Sequence, residues 1–230
     1  MNLQFLFERL RAAGIVVVIY SSSLFAGTDE GVLAARQGNF KLALQELTAA
    51  ANQGDVEAAN YAASIYLNGP PGMSINYPEA FRWYRFAAER GHRIAQNNLG
   101  HMLRMGLGVE RNPGEAMKWF EQSAAQNYSG AKANIALLYC NGEGVERNIA
   151  LCAKWTAEAA DEGVPEAQFG MAVLSMGGVG MVKDEKEASR WAEKAAANGH
   201  REARTWVQIL REKATAGQSP NTSVNTDAAR

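Results

Sequence analysis

Cysteine and histidine are scarce in this chain. Its 230 residues hold two cysteines, Cys140 and Cys152, and three histidines. The cysteines form no C-x-x-C pair and have no histidine cluster beside them, so neither a structural metal nor a cofactor is implied. Excess charge of either sign is missing too, with 23 Lys and Arg against 24 Asp and Glu. A basic footprint for nucleic acid and a strong field for acidic substrates are both excluded, and charge names no partner. No apolar run reaches the ~20 residues of a membrane-spanning helix. The strict alternation of apolar and polar residues that marks strands is absent as well.

The start of the chain differs in character from the rest. Arg9 and Arg11 precede an apolar run from Ala12 to Ile19, followed by Tyr20, three serines and Leu24-Phe25-Ala26. This is the three-part layout of a secretory signal peptide over residues 1–26, with Ala26 as the small residue before the cut. Glu8 dilutes the positive end, and Leu24 is a tolerable rather than ideal residue at its position. The alternative is an uncleaved membrane anchor, but Ser21 to Ser23 interrupt a segment that is already short for a span. The expectation is export and a mature chain that begins at Gly27, with membrane contact only if the segment is retained.

Alanines serve as a ruler for the remainder. Ala58, Ala95, Ala131, Ala167 and Ala203 are separated by 37, 36, 36 and 36 residues, the signature of a repeat array. Glycines recur at matching offsets: Gly69 and Gly72, Gly106 and Gly108, Gly142 and Gly144, Gly178 and Gly180. The extra residue of the first unit falls in the Pro70-Pro71 loop. A tryptophan stands 11 positions after each second glycine, as Trp83, Trp119, Trp155 and Trp191.

These offsets translate into helices and turns. Seven residues before each tryptophan comes a good helix N-cap, namely Asn76, Asn112, Asn148 and Asp184, with Asn39 equivalent in an incomplete leading unit. Glu79, Glu115 and Glu187 sit three residues after their caps, which predicts capping boxes. Pro113 follows its cap directly, where a missing N–H costs nothing. Gly91, Asn127, Gly163 and Gly199 are residues that tolerate the left-handed conformation ending a helix. Between these signals Leu99 and Leu103, Ile135 and Tyr139, Met171 and Leu174 keep helical spacing. Gly100, Ala136 and Ala172 form one small-residue column, and Ala80, Ala116, Cys152 and Ala188 another, so the paired helices can approach closely. The array is expected to run from about Asp29 to Lys213, within a repeat domain over 27–213. The polar residues 214–230 are expected to be a disordered tail.

The column pattern Ala, Leu-Gly, Tyr, Gly-x-Gly-Val, Asp or Asn, Trp, Ala-Ala, Gly resembles the Sel-one-like repeat family, relatives of tetratricopeptide repeats. Residues Ala131 to Ala167 carry it most fully: Ile135, Ala136, Tyr139, Gly142, Gly144, Val145, Asn148, Trp155, Ala159, Ala160 and Gly163. The match covers about four-fifths of the chain. The resemblance implies an all-α fold, a right-handed α-solenoid of helix-turn-helix repeats, acting as a scaffold for protein–protein contact. It also implies an exported or envelope-associated bacterial setting, periplasmic or secreted, or anchored to the inner membrane if the leader is kept. Some cysteine-rich members have been assigned a weak β-lactam-directed activity. They carry a cysteine pair joining each hairpin to the next, whereas Ala88, Ala95, Ala160 and Ala167 are alanines here, so no catalytic residue is carried over. A structural part in an envelope assembly is the remaining alternative.

Other features are absorbed by the repeat. Gly106-Leu107-Gly108-Val109 and Gly142-Glu143-Gly144-Val145 resemble pieces of a phosphate-binding loop, but their recurrence makes them turns. His92 and His200 share one position after a helix-ending glycine, which suggests a turn role. The tryptophan column is expected in the core between units.

In tetratricopeptide-like arrays the first helix of each hairpin lines the concave face, where a partner peptide or protein is expected to lie. The second, sixth and ninth residues after each ruler alanine are Asn60, Ser64 and Leu67; Asn97, His101 and Arg104; Ala133, Leu137 and Cys140; and Phe169, Val173 and Met176. The expected groove residues are Asn60, Asn97, His101, Arg104, Phe169 and Met176, with Arg104 as a bidentate donor and the later positions apolar. The opposing expectation is that Leu137, Phe169 and Val173 pack inward and that Asn97 and His101 are solvated. Export would permit a disulfide between Cys140 and Cys152. An axial offset of one turn, ~5.4 Å, weighs against it.

Overall fold

The computed structural model describes residues 27–216, in which eleven helices and no strand occur. Helix α1 spans 27–36. It is followed by α2 (Phe40–Asn52), α3 (Val56–Asn68), α4 (Tyr77–Ala88), α5 (Arg93–Met105), α6 (Pro113–Ala125) and α7 (Ser129–Asn141). Then come α8 (Ile149–Asp161), α9 (Pro165–Gly177), α10 (Glu185–Ala197) and α11 (Arg201–Ala216). The chain divides into two compact units, one ending at Arg147 and the other beginning at Asn148. Residues 1–26 and 217–230, where the leader and most of the tail were expected, lie outside the described residues. Helix α11 runs three residues past the expected end at Lys213. Ala214 and Ala216, of the residue type with the highest helix propensity, favour the extension.

Sequence signals account for the boundaries. Asn39, Asn76, Asn112, Asn148 and Asp184 each accept a backbone N–H of the first turn with their side chain. Gly69, Gly106, Gly142 and Gly178 end the first helices in the left-handed conformation. Gly91, Asn127, Gly163 and Gly199 take positive φ after the second helices, and Asn127 at 58° is the one non-glycine to do so among the described residues.

The capping boxes close differently from the expectation. The cap amides do not receive the glutamate side chains. Asn76 N–H donates to the Tyr66 carbonyl at 2.8 Å, Asn112 to Leu103 at 2.8 Å and Asp184 to Ser175 at 2.9 Å. Each bond fills an otherwise orphaned carbonyl near the end of the first helix and ties the two helices of a hairpin together. The glutamates turn elsewhere, Glu79 to Arg82 and Glu187 to the Trp191 indole.

In the first unit each helix from α2 to α7 packs on the next, and α5 also touches α7. Ala80, Trp83, Tyr84, Leu99, Met102, Ala116, Phe120, Ile135 and Leu138 are buried. Gly100 explains the small column: a Cβ there would stand 2.7 Å from the Phe120 ring and 3.1 Å from the Ala116 carbonyl. The hairpin therefore closes with a large ring received over a missing side chain. In the second unit α8, α9, α10 and α11 pack in succession over Cys152, Met171, Ala172, Ala188, Trp191 and Ala203. The tryptophan column is only half core: Trp83 and Trp191 are buried, whereas Trp119 and Trp155 are half-exposed. The following column, Tyr84, Phe120, Thr156 and Ala192, is buried throughout, because that position faces the partner helix of the hairpin.

Two polar locks repeat. Gln96 donates to the Ala88 carbonyl and accepts from Gln126 at 2.8 Å; Gln168 donates to the Ala160 carbonyl and accepts from Asn198 at 2.9 Å. Buried amides satisfied on both ends fix the register of neighbouring helices.

Candidate functional site

In the first unit one expected groove residue, Asn97, joins a chain of side-chain hydrogen bonds between α7 and α5. Asn134 on α7 donates to Asn97 Oδ1 on α5 at 2.9 Å, and Asn97 in turn donates toward Asn98 Oδ1 at 3.4 Å. The Tyr84 hydroxyl, hydrogen-bonded with the Ser64 and Asn98 side chains, is pushed up to about 12 by burial. This second-helix hydroxyl holds α3 and α5 polar groups in place from below. Asn97 is buried, not solvated, and Asn60 is buried with its Oδ1 lacking a partner.

His101 is half-buried, and burial, with Arg104 adding, lowers its basicity below that of an ordinary imidazole. Arg104 is recessed, its side chain 13 % exposed. Its Nη1 stands 3.7 Å from Glu143 Oε2, outside hydrogen-bonding range, and its Nε is buried without a partner. Glu143 spends itself on other groups, accepting from Asn141 at 2.9 Å and from Arg111 at 3.0 Å. The Asn141 hydrogen bond, and then Arg104 and Arg111, hold its carboxyl below the usual range. Glu143, Arg111 and Asn141 were missed by sequence reasoning, which took the Gly-Glu-Gly segment only as a turn. One turn of helix beyond Asn134, Leu137 is 37 % exposed.

In the second unit Phe169 is engaged within the fold. It stacks on His200 with ring centroids 4.5 Å apart and meets Trp206 edge-on at 5.5 Å. Met176 is half-buried, and Val173 is 50 % exposed. Val173 thus reaches solvent whereas Phe169 fills the space between α9 and α11.

His92 and His200 have a defined role. Each caps a first helix: His92 Nδ1 accepts from Ala95 N–H at 3.1 Å, and His200 Nδ1 from Ala203 N–H at 3.2 Å. His92 Nε2 also meets Glu57 Oε2 at 2.8 Å. Asp55 fills the equivalent place before α3, accepting from Ala58 at 2.9 Å, a parallel that could have exposed the caps in the sequence.

Cys140, at the end of α7, and Cys152, buried in α8, are each disulfide-bonded, and no described cysteine is free. The bond is present despite the axial offset that weighed against it.

No group of three or more metal-ligating side chains occurs among the described residues, and no described helix is long and apolar enough to cross a membrane. Sequence reasoning passed over one match, Ser129-Gly130-Ala131-Lys132, which spells Ser-x-x-Lys. It opens α7 with the ruler alanine as its third residue, and the chain has neither the Ser-Asp-Asn nor the Lys-Thr-Gly element that accompanies that nucleophile.

The Sel1 repeat model matches residues 56–92, 93–128, 129–164 and 165–200. Among curated proteins, none matches this chain. A Sel1 repeat protein from Oxalobacter formigenes is similar at 28 % identity, over 87 % of this chain and 81 % of that one, with a TM-score of 0.79. The protective antigen c5321 of uropathogenic Escherichia coli, which displays the same repeat fold, is 25 % identical with a TM-score of 0.72. That match covers 93 % of this chain but only 45 % of the antigen's length. Immunity protein Pa5087 from Pseudomonas aeruginosa, at 18 % identity, 79 % and 68 % coverage and a TM-score of 0.51, shares the fold alone. Four matched repeats in one register, each closed by its own cap and glycine turn, show that the chain belongs to the Sel1 repeat family.

Proposed function

We propose that this chain is an exported, non-catalytic adaptor that holds a partner protein on the surface built by the first helices of its repeats. Sel1 repeat proteins are generally scaffolds for protein–protein interaction rather than catalysts. One observation carries the reading to this face. The sixth residue after the ruler alanine is Leu137 in α7 and Val173 in α9, and these are 37 % and 50 % exposed while the helical neighbours Ala136 and Ala172 are buried. A large apolar side chain kept in water at the same repeat position in each unit supports a contact role for this face. Export rests on the layout of residues 1–26, and the disulfide fits an oxidising compartment.

A photocrosslinking residue placed at position 137, and in a second protein at Lys118 on α6, tests the face in envelope extracts of the native host. Adducts formed at 137, suppressed by excess unmodified protein and absent at 118, are expected. Equal labelling at both positions would remove the first-helix face as the contact surface.

A further inference from the structure

We propose that the recess around Arg104 receives a glutamate side chain of the partner, an assignment that rests on the first-helix face being the contact surface. A guanidinium has five N–H donors and no way to shed its charge. When such a group is buried and left short of acceptors, it costs free energy, so an unfilled one in a native structure calls for an explanation. Arg104 is in this position: 13 % exposed, its Nε without a partner, and its carboxylate neighbour 3.7 Å away.

The local charge count agrees. Arg104 and Arg111 face one carboxylate, Glu143, whose oxygens accept from Arg111 at 3.0 Å and from Asn141 at 2.9 Å. The cluster keeps one uncompensated positive charge, and its open donors are those of the recessed arginine. A second carboxylate would balance it and give Arg104 the two-pronged contact its geometry favours. Glu143 also shows that a glutamate side chain is a fitting visitor, since one already approaches this guanidinium.

The test is fluorescence anisotropy of labelled hexaglutamate, acetylated and amidated at its ends, against the full chain, with capped hexaglutamine as comparison. Hexaglutamate is expected to bind at least tenfold more tightly than hexaglutamine. Arg104→Gln should weaken it at least tenfold and Arg104→Lys, which keeps the charge but not the fork, at least threefold. Glu143→Gln should strengthen it about threefold by freeing Arg111, and Arg82→Gln on α4 should leave it unchanged. Circular dichroism checks each variant; if Arg104→Gln unfolds, Arg104→Lys decides. Equal binding of the two peptides, or binding indifferent to Arg104, overturns the proposal. Binding only by a peptide with a free C-terminus overturns the glutamate side chain in favour of a chain end. A specific adduct at position 137 together with failed hexaglutamate binding would leave the contact surface standing and remove only the glutamate assignment.

Discussion

Each repeat spends two glycines on its turn, and the structure separates their reasons. Gly106 and Gly108 have nearly the same φ, 73° and 71°. A Cβ on Gly106 would meet the Arg111 Cβ at 3.3 Å and main-chain atoms at 3.6 Å. A Cβ on Gly108 would meet the Tyr77 carbonyl carbon at 2.5 Å, its oxygen at 2.6 Å and the Pro78 nitrogen at 2.7 Å. These are main-chain atoms at the start of α4, already held by the Asn76 cap and by proline, so the turn and the helix would have to part. Gly106→Ala therefore carries chiefly the left-handed strain of a residue with a Cβ, about 1–2 kcal/mol. Gly108→Ala carries that strain plus an overpacking cost of about 1–3 kcal/mol. At ~2–4 °C per kcal/mol for a chain of this size, Gly106→Ala should lower the melting temperature by roughly 2–8 °C and Gly108→Ala, at any one conversion factor by more, by roughly 4–20 °C. Gly91→Asn is the internal control. No atom lies within 4 Å of its Cβ position, and Asn127 already occupies the equivalent place at φ 58°, so its cost should be the smallest of the three. Thermal unfolding followed by far-ultraviolet circular dichroism measures all three. A Gly108→Ala protein that melts no lower than Gly106→Ala would refute the close-approach argument.

Free-thiol titration of the denatured, unreduced chain should find no reactive cysteine, and reduction should cost about 3 kcal/mol, the chain-entropy value for a loop of this length; two titratable thiols would contradict the bond. Acid should weaken the Glu143 cluster: its depressed carboxyl contributes stability that is complete above the ordinary glutamate range and is lost as pH falls through the folded value. The stability gap between wild type and Glu143→Gln should therefore narrow below about pH 4.5, the ordinary glutamate value, and a gap that widens with acid would contradict the reading. His101 has the opposite chemistry and the same direction. Its lowered value means that the folded chain prefers the neutral ring, so its contribution is complete above the ordinary histidine value of about 6.5 and declines as pH falls below it; a His101→Asn protein should lack this decline in pH-dependent melting. Protein purified from its native host should begin at Gly27, and N-terminal sequencing that returned Met1 from the cytosol would overturn export.

What could be read from the chain alone was whatever depends on a few neighbouring residues and recurs. A cap, a left-handed turn and an apolar stripe are each decided within one or two helical turns. Repetition at 36-residue spacing then multiplied a weak local signal into the fold class, the helix boundaries and the family. Features that depend on what one helix presents to another were not legible. The three glutamates of the expected capping boxes lost the cap amides to carbonyls of the preceding helix, a competitor visible only once the hairpin has closed. The tryptophan column divided into buried and half-exposed members, because a residue's burial depends on the side chains packed around it and not on its own offset. The same holds for the site: the sequence could place Asn60, Asn97, His101 and Arg104 at corresponding offsets. Only packing could show that Asn134 fills one amide and leaves another empty, that Phe169 is taken by His200 and Trp206, and that Glu143 stops short of Arg104. Side-chain partners across helices are fixed by three-dimensional distance, which no spacing along the chain contains.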